Sequence, residues 1–248
     1  MISIDTVYQK VLAFANKEQR GYITPQEFNL FADQAQLEIF EQYFYDINQL
    51  SRVHGNSDEF GDVKSNIQEK IAMLYREQID NTANSTGNVI ITGTAYRVGT
   101  VYIGNDINSG EPNSYTNYEI PEVELSELKS LQQSSLMKPR MRKPVYTKSL
   151  PSSTGQLRIR IYPNNLTDTN YVNYSYIKRP DRPHWGYVVV NNTAMYDPGN
   201  KTDFELHFSE EVELVYKILK YAGISIKRND IAQAAQGLEA SNINQEKA

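Results

Sequence analysis

The chain has 248 residues, a formal net charge of −5 and 40% apolar residues, with 18 Tyr against 8 Phe and 1 Trp, and no cysteine. Such a length buries a sizeable core, in one domain or in two unequal lobes. The missing cysteines exclude disulfide scaffolds, thiol catalysis and thiolate metal sites, and no apolar run approaches the ~18 residues needed to cross a bilayer.

The opening, MISIDTVYQKVLAFANK, reads as folded helix and lacks a signal-peptide pattern. A first helix is predicted over 4–16, with Val7, Val11, Leu12 and Phe14 as its apolar stripe. A second opens at Thr24, with Pro25 at the first helical position and Glu27 at the third. It carries Phe28, Phe31, Ala35, Ile39, Tyr43 and Ile47 at helical spacing, and Leu37, Phe40 and Phe44 on other faces. A helix apolar on more than one side suits a central or interface position. After the linker VHGNSDEFGD, a third helix is predicted over 62–79, with Val63, Ile67, Ile71, Leu74 and Gln78 in step.

The texture changes near residue 81. NTANSTGNVI is turn material, and VIITG, YRVGTVYIG, LRIRIYP, NYSYI and WGYVVVN are strand candidates. Leu157, Ile159 and Ile161 alternate with Arg158 and Arg160, as in a half-exposed strand. A Pro- and Ser-rich stretch from Pro121 to Ser153 reads as a long extended arm. Helix returns at Ser209, a capping residue followed by Glu210 and Glu211. Val212, Val215, Leu219 and Ala222 form its stripe, with Lys220 in the last turn and Gly223 as the stop. A short helix over 229–240 leads into a polar tail. The expected class is α+β: a helical bundle from residues 1–80 and 209–248, with a β-rich insertion over 81–208 that carries the arm at 121–153.

Residues 16–27 place a glycine and a final glutamate as a calcium-binding EF-hand loop would. Ligand positions would fall on Asn16, Glu18, Arg20, the Tyr22 carbonyl, Thr24 and Glu27. Arg20 puts a cation where an oxygen is required, so the string is read as a helix cap and no metal is expected. The histidines, His54, His184 and His207, lie far apart and match no metalloprotease spacing. His207 sits in an alternating stretch, FELHF, as a sheet-surface residue would. In DRPHWGY, Trp185 is either a recognition anchor or, as the simpler reading, a buried residue at a strand start. No P-loop, dinucleotide-binding glycine pattern or serine elbow occurs. Nothing argues for an enzyme or a cofactor.

Charge is unevenly spread. Residues 1–80 hold 7 Lys/Arg against 13 Asp/Glu, residues 81–128 hold 1 against 6, and residues 129–182 hold 11 against 2. The basic segment is centred on KPRMRKP, with Lys138, Arg140, Arg142 and Lys143 between Pro139 and Pro144. It suits either phosphate contact with nucleic acid or docking on an acidic protein surface, including that of another copy. Complementarity inside one sequence favours the protein surface.

The opening MISIDTVYQKVLAFANKEQRGYITPQEFNLFADQAQLEIFEQYF resembles the start of virion structural proteins of tailed bacteriophages, including crAss-like and marine phages. KPRMRKPVYTKSLP, LRIRIYP, YIKRPDRPHWGY and LHFSEEVELVYKILKYAGISIKRNDI look like later parts of the same family, so the resemblance spans nearly the whole chain. It implies a non-enzymatic neck protein: an adaptor in a dodecameric ring below the portal, joining head to tail while genomic DNA passes through the lumen unbound. A tail terminator or tail-proximal ring protein is the alternative, followed by a DNA-binding module acting through 129–182. The implied partners are further copies, the portal protein and a neighbouring ring or tail protein. The expected subunit or portal contacts are Lys138, Arg140, Arg142, Lys143, Tyr146, Arg179, Arg182 and Trp185.

Overall fold

The computed structural model describes residues 1–16, 23–52, 58–80, 87–91, 93–106, 115–140, 142–149, 157–164, 170–225 and 236–241. The class is α+β. In chain order come helices α1 (Ile4–Asn16), α2 (Pro25–Arg52) and α3 (Asp58–Ala72), then strands β1 (Tyr75–Asp80), β2 (Asn88–Ile90), β3 (Ala95–Asp106) and β4 (Tyr115–Ile120). Helix α4 (Leu125–Gln133) precedes β5 (Val145–Ser149), β6 (Arg158–Tyr162) and β7 (Asn170–Lys178), and the chain returns through β8 (Tyr187–Val190), β9 (Thr193–Tyr196) and α5 (Glu211–Ser225). Two compact units result. Residues 1–74 with 180–248 form a helical unit, and residues 75–179 form a β-rich unit.

In the helical unit, α1 buries Ile4, Val7, Tyr8, Val11 and Ala15, while Phe14 of the expected stripe is exposed. Helix α2 buries Phe28, Ala32, Ala35, Ile39, Phe40 and Tyr43, a face wide enough to pack against both α3 and α5. Its start is the expected capping box. The Thr24 backbone N–H donates to Glu27 Oε2 at 3.0 Å, the Thr24 hydroxyl donates to the same oxygen at 2.7 Å, and the Glu27 N–H returns a bond to Thr24 Oγ1 at 3.3 Å. These bonds draw the Glu27 carboxyl below its usual pKa. Thr24→Ala should therefore lower stability by about 1 kcal/mol, the ordinary loss for an N-cap hydroxyl, as read from urea unfolding. The remaining EF-hand positions, Glu18 to Tyr22, and His54 lie outside the described residues.

Three expectations about boundaries are corrected. The third helix ends at Ala72 and not at 79, because residues 75–80 pair along their whole length with β7, from Tyr75 opposite Ile177 to Asp80 opposite Val172. Ladder bonding outweighs the weak helical period that Leu74 and Gln78 suggested. The β-rich insertion closes at Arg179 and not at 208. Residues beyond it are held by the helices: Ile2 and Phe204 bridge as antiparallel partners, Glu205 N–H donates to Gln36 Oε1 at 3.1 Å, and Gln36 Nε2 donates to the Asp181 carbonyl at 2.8 Å. Finally, Ser209 does not cap α5. His207 Nδ1 accepts the Ser209 N–H at 3.4 Å to cap a 3-10 turn, Phe208–Glu210, that leads into α5. Helix α5 continues through a buried Gly223 to Ser225, and its buried face is Leu214, Val215, Ile218, Leu219 and Ala222, with Val212 exposed. Of the final predicted helix, a turn at 236–241 lies within the described residues.

The β-rich unit has a four-stranded antiparallel sheet, ordered β1-β7-β3-β4, and a three-stranded one, ordered β2-β6-β5. They share one core: Val101, Ile103, Ile120, Val172, Tyr174 and Tyr176 from the larger sheet meet Val89, Ile91, Tyr146, Ile159 and Ile161 from the smaller. The alternation read in LRIRIYP is real, with Ile159 and Ile161 buried and Arg160 exposed. Each buried Val or Ile contributes about 1.5–3 kcal/mol relative to exposure. Strand β3 bulges between Val98 and Val101. Ser175 Oγ fills the bulge, accepting the Thr100 N–H at 2.9 Å, and a Cβ on Gly99 would lie 2.6 Å from that oxygen. Glycine is the residue that leaves room for it.

The long extended arm is also corrected. Its described part, 121–140 and 142–149, forms a bridge from Glu122 to Tyr146, helix α4, a turn and strand β5. Leu128 anchors α4 by burial, and Pro139 and Pro144 are buried. The prolines shape a compact turn, because their apolar rings find cover inside the unit.

Candidate interaction surfaces

The basic residues come together in one place. Lys138, Arg140, Arg142 and Lys143 are exposed in the turn between α4 and β5, which is closed by Lys143 N–H donating to the Arg140 carbonyl at 2.8 Å. The Arg140 guanidinium donates to the Ser135 carbonyl at 3.3 Å. Among the described residues none of the four cations has an ion-pair partner. Beside them Leu136 is 85% and Met137 62% exposed, so the turn pairs apolar and cationic side chains.

The other expected contacts scatter. Arg179 is exposed at the end of the β-rich unit, its N–H donating to the Thr94 carbonyl at 2.8 Å. Arg182, in the helical unit, is exposed with its Nε 3.5 Å from Asp33 Oδ2. Tyr146 and Trp185 are corrections, because both are buried and have no surface to offer a neighbour. Tyr146 belongs to the shared core of the two sheets. Its hydroxyl donates to Glu122 Oε2 at 3.4 Å, and burial with that carboxylate pushes its pKa up to about 12.

Trp185 is a core anchor. Its ring lies 4.3 Å from that of Tyr8 and stacks on Tyr187 and Tyr196, and its indole N–H donates to Asp5 Oδ1 at 3.0 Å. Asn29 of α2 receives the Trp185 backbone N–H at 2.8 Å and faces His184 Nδ1 at 3.2 Å, so His184 serves packing. Gly186 follows because the chain passes hard against its neighbour. A Cβ there would meet the Asn200 carbonyl oxygen at 2.1 Å. Among the described residues no cluster of three or more His, Asp or Glu is arranged to hold a metal ion.

A second surface escaped the reading of single residues. Strands β8 and β9 form a hairpin of their own, with Val188 opposite Met195 and Val189 opposite Ala194. Asn191 and Asn192 turn it at φ +48° and +65°, the left-handed pair that matches a two-residue hairpin loop. Val188, Val189, Val190 and Met195 are all exposed, Val189 by 62%, and no residue from 187 to 196 is charged. The signal was present: Asn-Asn between VVV and TAMY marks a hairpin, and the absence of charge marks its surface as unguarded.

The helical unit also buries a charge cluster. Lys217 of α5 is 4% exposed at its side chain, with Nζ 3.0 Å from Glu38 Oε1, 3.4 Å from Glu213 Oε1 and 2.6 Å from Glu239 Oε1. Lys220 Nζ lies 3.2 Å from Glu239 Oε2, and the Tyr221 hydroxyl donates to Glu38. Burial alone would lower the Lys217 pKa, but the carboxylates carry it well above the ordinary lysine value. Burial likewise pushes Glu38 up, and the bonds from Tyr221 and Lys217 more than reverse this, leaving it below its usual range. Tyr221 is raised to about 12 by burial and by Glu38.

The signs give a pH profile. Glu38 contributes stability that is present above the ordinary carboxylate range and lost as pH falls through its lowered value. Tyr221 contributes stability that is full below about pH 10 and lost as pH rises toward 12. Thermal melts followed by circular dichroism should therefore fall off at both ends, and Tyr221→Phe should flatten the alkaline limb that its own titration supplies.

No protein-family model matches the chain, and a comparison with curated proteins finds no match.

Proposed function

We propose that the chain is a non-catalytic structural subunit of a tailed-bacteriophage neck: a connector protein that assembles into a dodecameric ring below the portal and joins head to tail. The observation that carries this reading is the β8–β9 hairpin. A two-stranded hairpin is marginal on its own in water, and an exposed, charge-free valine edge is a surface that proteins otherwise guard with lysine or proline. An assembling subunit covers it with a neighbour. The basic turn at 138–143 supports the same reading, because exposed Leu136 and Met137 suit a protein surface better than a phosphate backbone. The resemblance of the opening helices and of YIKRPDRPHWGY to virion structural proteins of tailed bacteriophages supports the neck as the location.

Native mass spectrometry and imaging of the particle's neck test this. The expected result is a closed ring with twelve times the mass of the 28.4 kDa chain, seated on the portal. A six-fold ring would move the protein to the tail terminus, and absence from the particle would sink the virion reading. Changing Lys138, Arg140, Arg142 and Lys143 together to Ala should weaken assembly at least tenfold and reduce its salt sensitivity, while leaving the thermal midpoint within a few degrees of the parent. Loss of DNA affinity with intact assembly would favour the nucleic-acid reading of the turn.

A further inference from the structure

We infer that residues 236–241 form an acid-released strap over α5 and α2, locked by the single carboxylate of Glu239 and opened when that carboxylate takes up a proton.

The strap is fastened at one point. Of residues 236–241 only Glu239 is buried, and nothing stands within 4 Å of the position a Cβ on Gly237 would take. Glu239 meets Lys217 Nζ at 2.6 Å and Lys220 Nζ at 3.2 Å, both on α5. Two charge-assisted bonds therefore stand against the entropy of ordering the strap, with hardly any apolar burial beside them. A protonated carboxyl gives up its attraction for both cations, and the balance turns toward release. Helix α5 itself is held by buried Leu214, Ile218 and Leu219, which no proton uncouples.

The cluster beneath the strap is built to survive its departure. Among the described residues, the charged and titratable groups around Glu239 are Lys217, Lys220, Glu213 and Tyr221 on α5 and Glu38 on α2. Lys217 lies 3.0 Å from Glu38 Oε1 and 3.4 Å from Glu213 Oε1, and Lys220 lies 3.8 Å from Glu38 Oε1. The Tyr221 hydroxyl donates to Glu38, and its bond and that of Lys217 hold the Glu38 carboxyl below its usual range. Glu38 thus stays ionised further into acid than an ordinary carboxylate and goes on countering both lysines. Opening strands no buried cation, which is the usual obstacle at such a site. It bares the amines of Lys217 and Lys220, whose side chains are 4% and 20% exposed with the strap closed.

Acetylation of lysines at neutral pH, followed residue by residue by mass spectrometry on the full chain, tests the strap. Glu239→Gln has the shape of the protonated acid and stands in for the acid state. It should speed labelling of Lys217 and Lys220 roughly tenfold, the effect of losing one charge-assisted hydrogen bond. Lys70, paired at 2.6 Å with buried Glu210 in the same unit, should label at the parental rate. Glu239→Asp keeps the charge and should stay closer to the parent than Glu239→Gln does. Unchanged rates at Lys217 and Lys220 in Glu239→Gln overturn the strap, as does an equal acceleration at Lys70, which would mean that the whole helical unit had loosened. Equal acceleration by Asp and Gln would assign the seat to side-chain shape and overturn the charge lock.

Discussion

Trp185→Ala should destabilise the helical unit by about 3–5 kcal/mol, the range for deleting a large buried aromatic side chain. The residue is 3% exposed, and its removal takes away the packing of Tyr8, Tyr187 and Tyr196 while leaving Asp5 without the indole donor. Trp185→Phe keeps most of the ring contact and loses the hydrogen bond, so it should lose about 1–2 kcal/mol. Guanidinium unfolding followed by circular dichroism measures both. In the parent, the same residue is the sole tryptophan, so its fluorescence reports on this unit alone. Equal losses in the two variants would mean that the hydrogen bond, not the packing, is what matters.

Lys217→Met is the second large effect, about 3–5 kcal/mol at neutral pH, because it removes the cation that Glu38, Glu213 and Glu239 share in a buried site. The hydrocarbon stem is kept, so the loss is electrostatic. The difference between variant and parent should shrink as pH falls below the carboxylate range, where the three acids take up protons and no longer require a counter-charge. Adding Glu239→Gln to Lys217→Met should recover part of the loss. A pH-independent difference, with no recovery in the double variant, would assign the effect to packing.

Local signals survived the comparison between sequence and structure best. Thr24-Pro25-Gln26-Glu27 announces a helix start, and the hydrogen bonds that realise it run between residues three apart. The alternation of residues 157–161 is similarly self-contained. What the sequence hid was pairing at long range. Tyr75–Asp80 looks like the tail of a helix until its partner, β7, is known. Residues 180–208 look like more of the insertion until Phe204 finds Ile2, and Trp185 finds Asp5 and Asn29. The prolines at 139 and 144 suggested extension, because their burial depends on the fold of the surrounding turn and not on the tripeptides that contain them. For the candidate surfaces, the basic turn was legible as charge. The hairpin was legible as a turn at Asn191-Asn192 between uncharged runs, but its exposure was not, since a run of valines ordinarily signals a core and only the structure leaves these uncovered.

The pairing of Tyr75 with Ile177 brings the first residues of the β-rich unit beside its last. Adjacent strands lie about 5 Å apart, so residues 75–179 can be cut out and the two loose ends rejoined by a few glycines. The reverse also holds, since a sequence with neighbouring ends can be spliced into a helical ancestor without pulling its helices apart. Residues 75–179 therefore have the end geometry of a cassette, a unit whose two ends leave and rejoin the helical unit's sequence side by side.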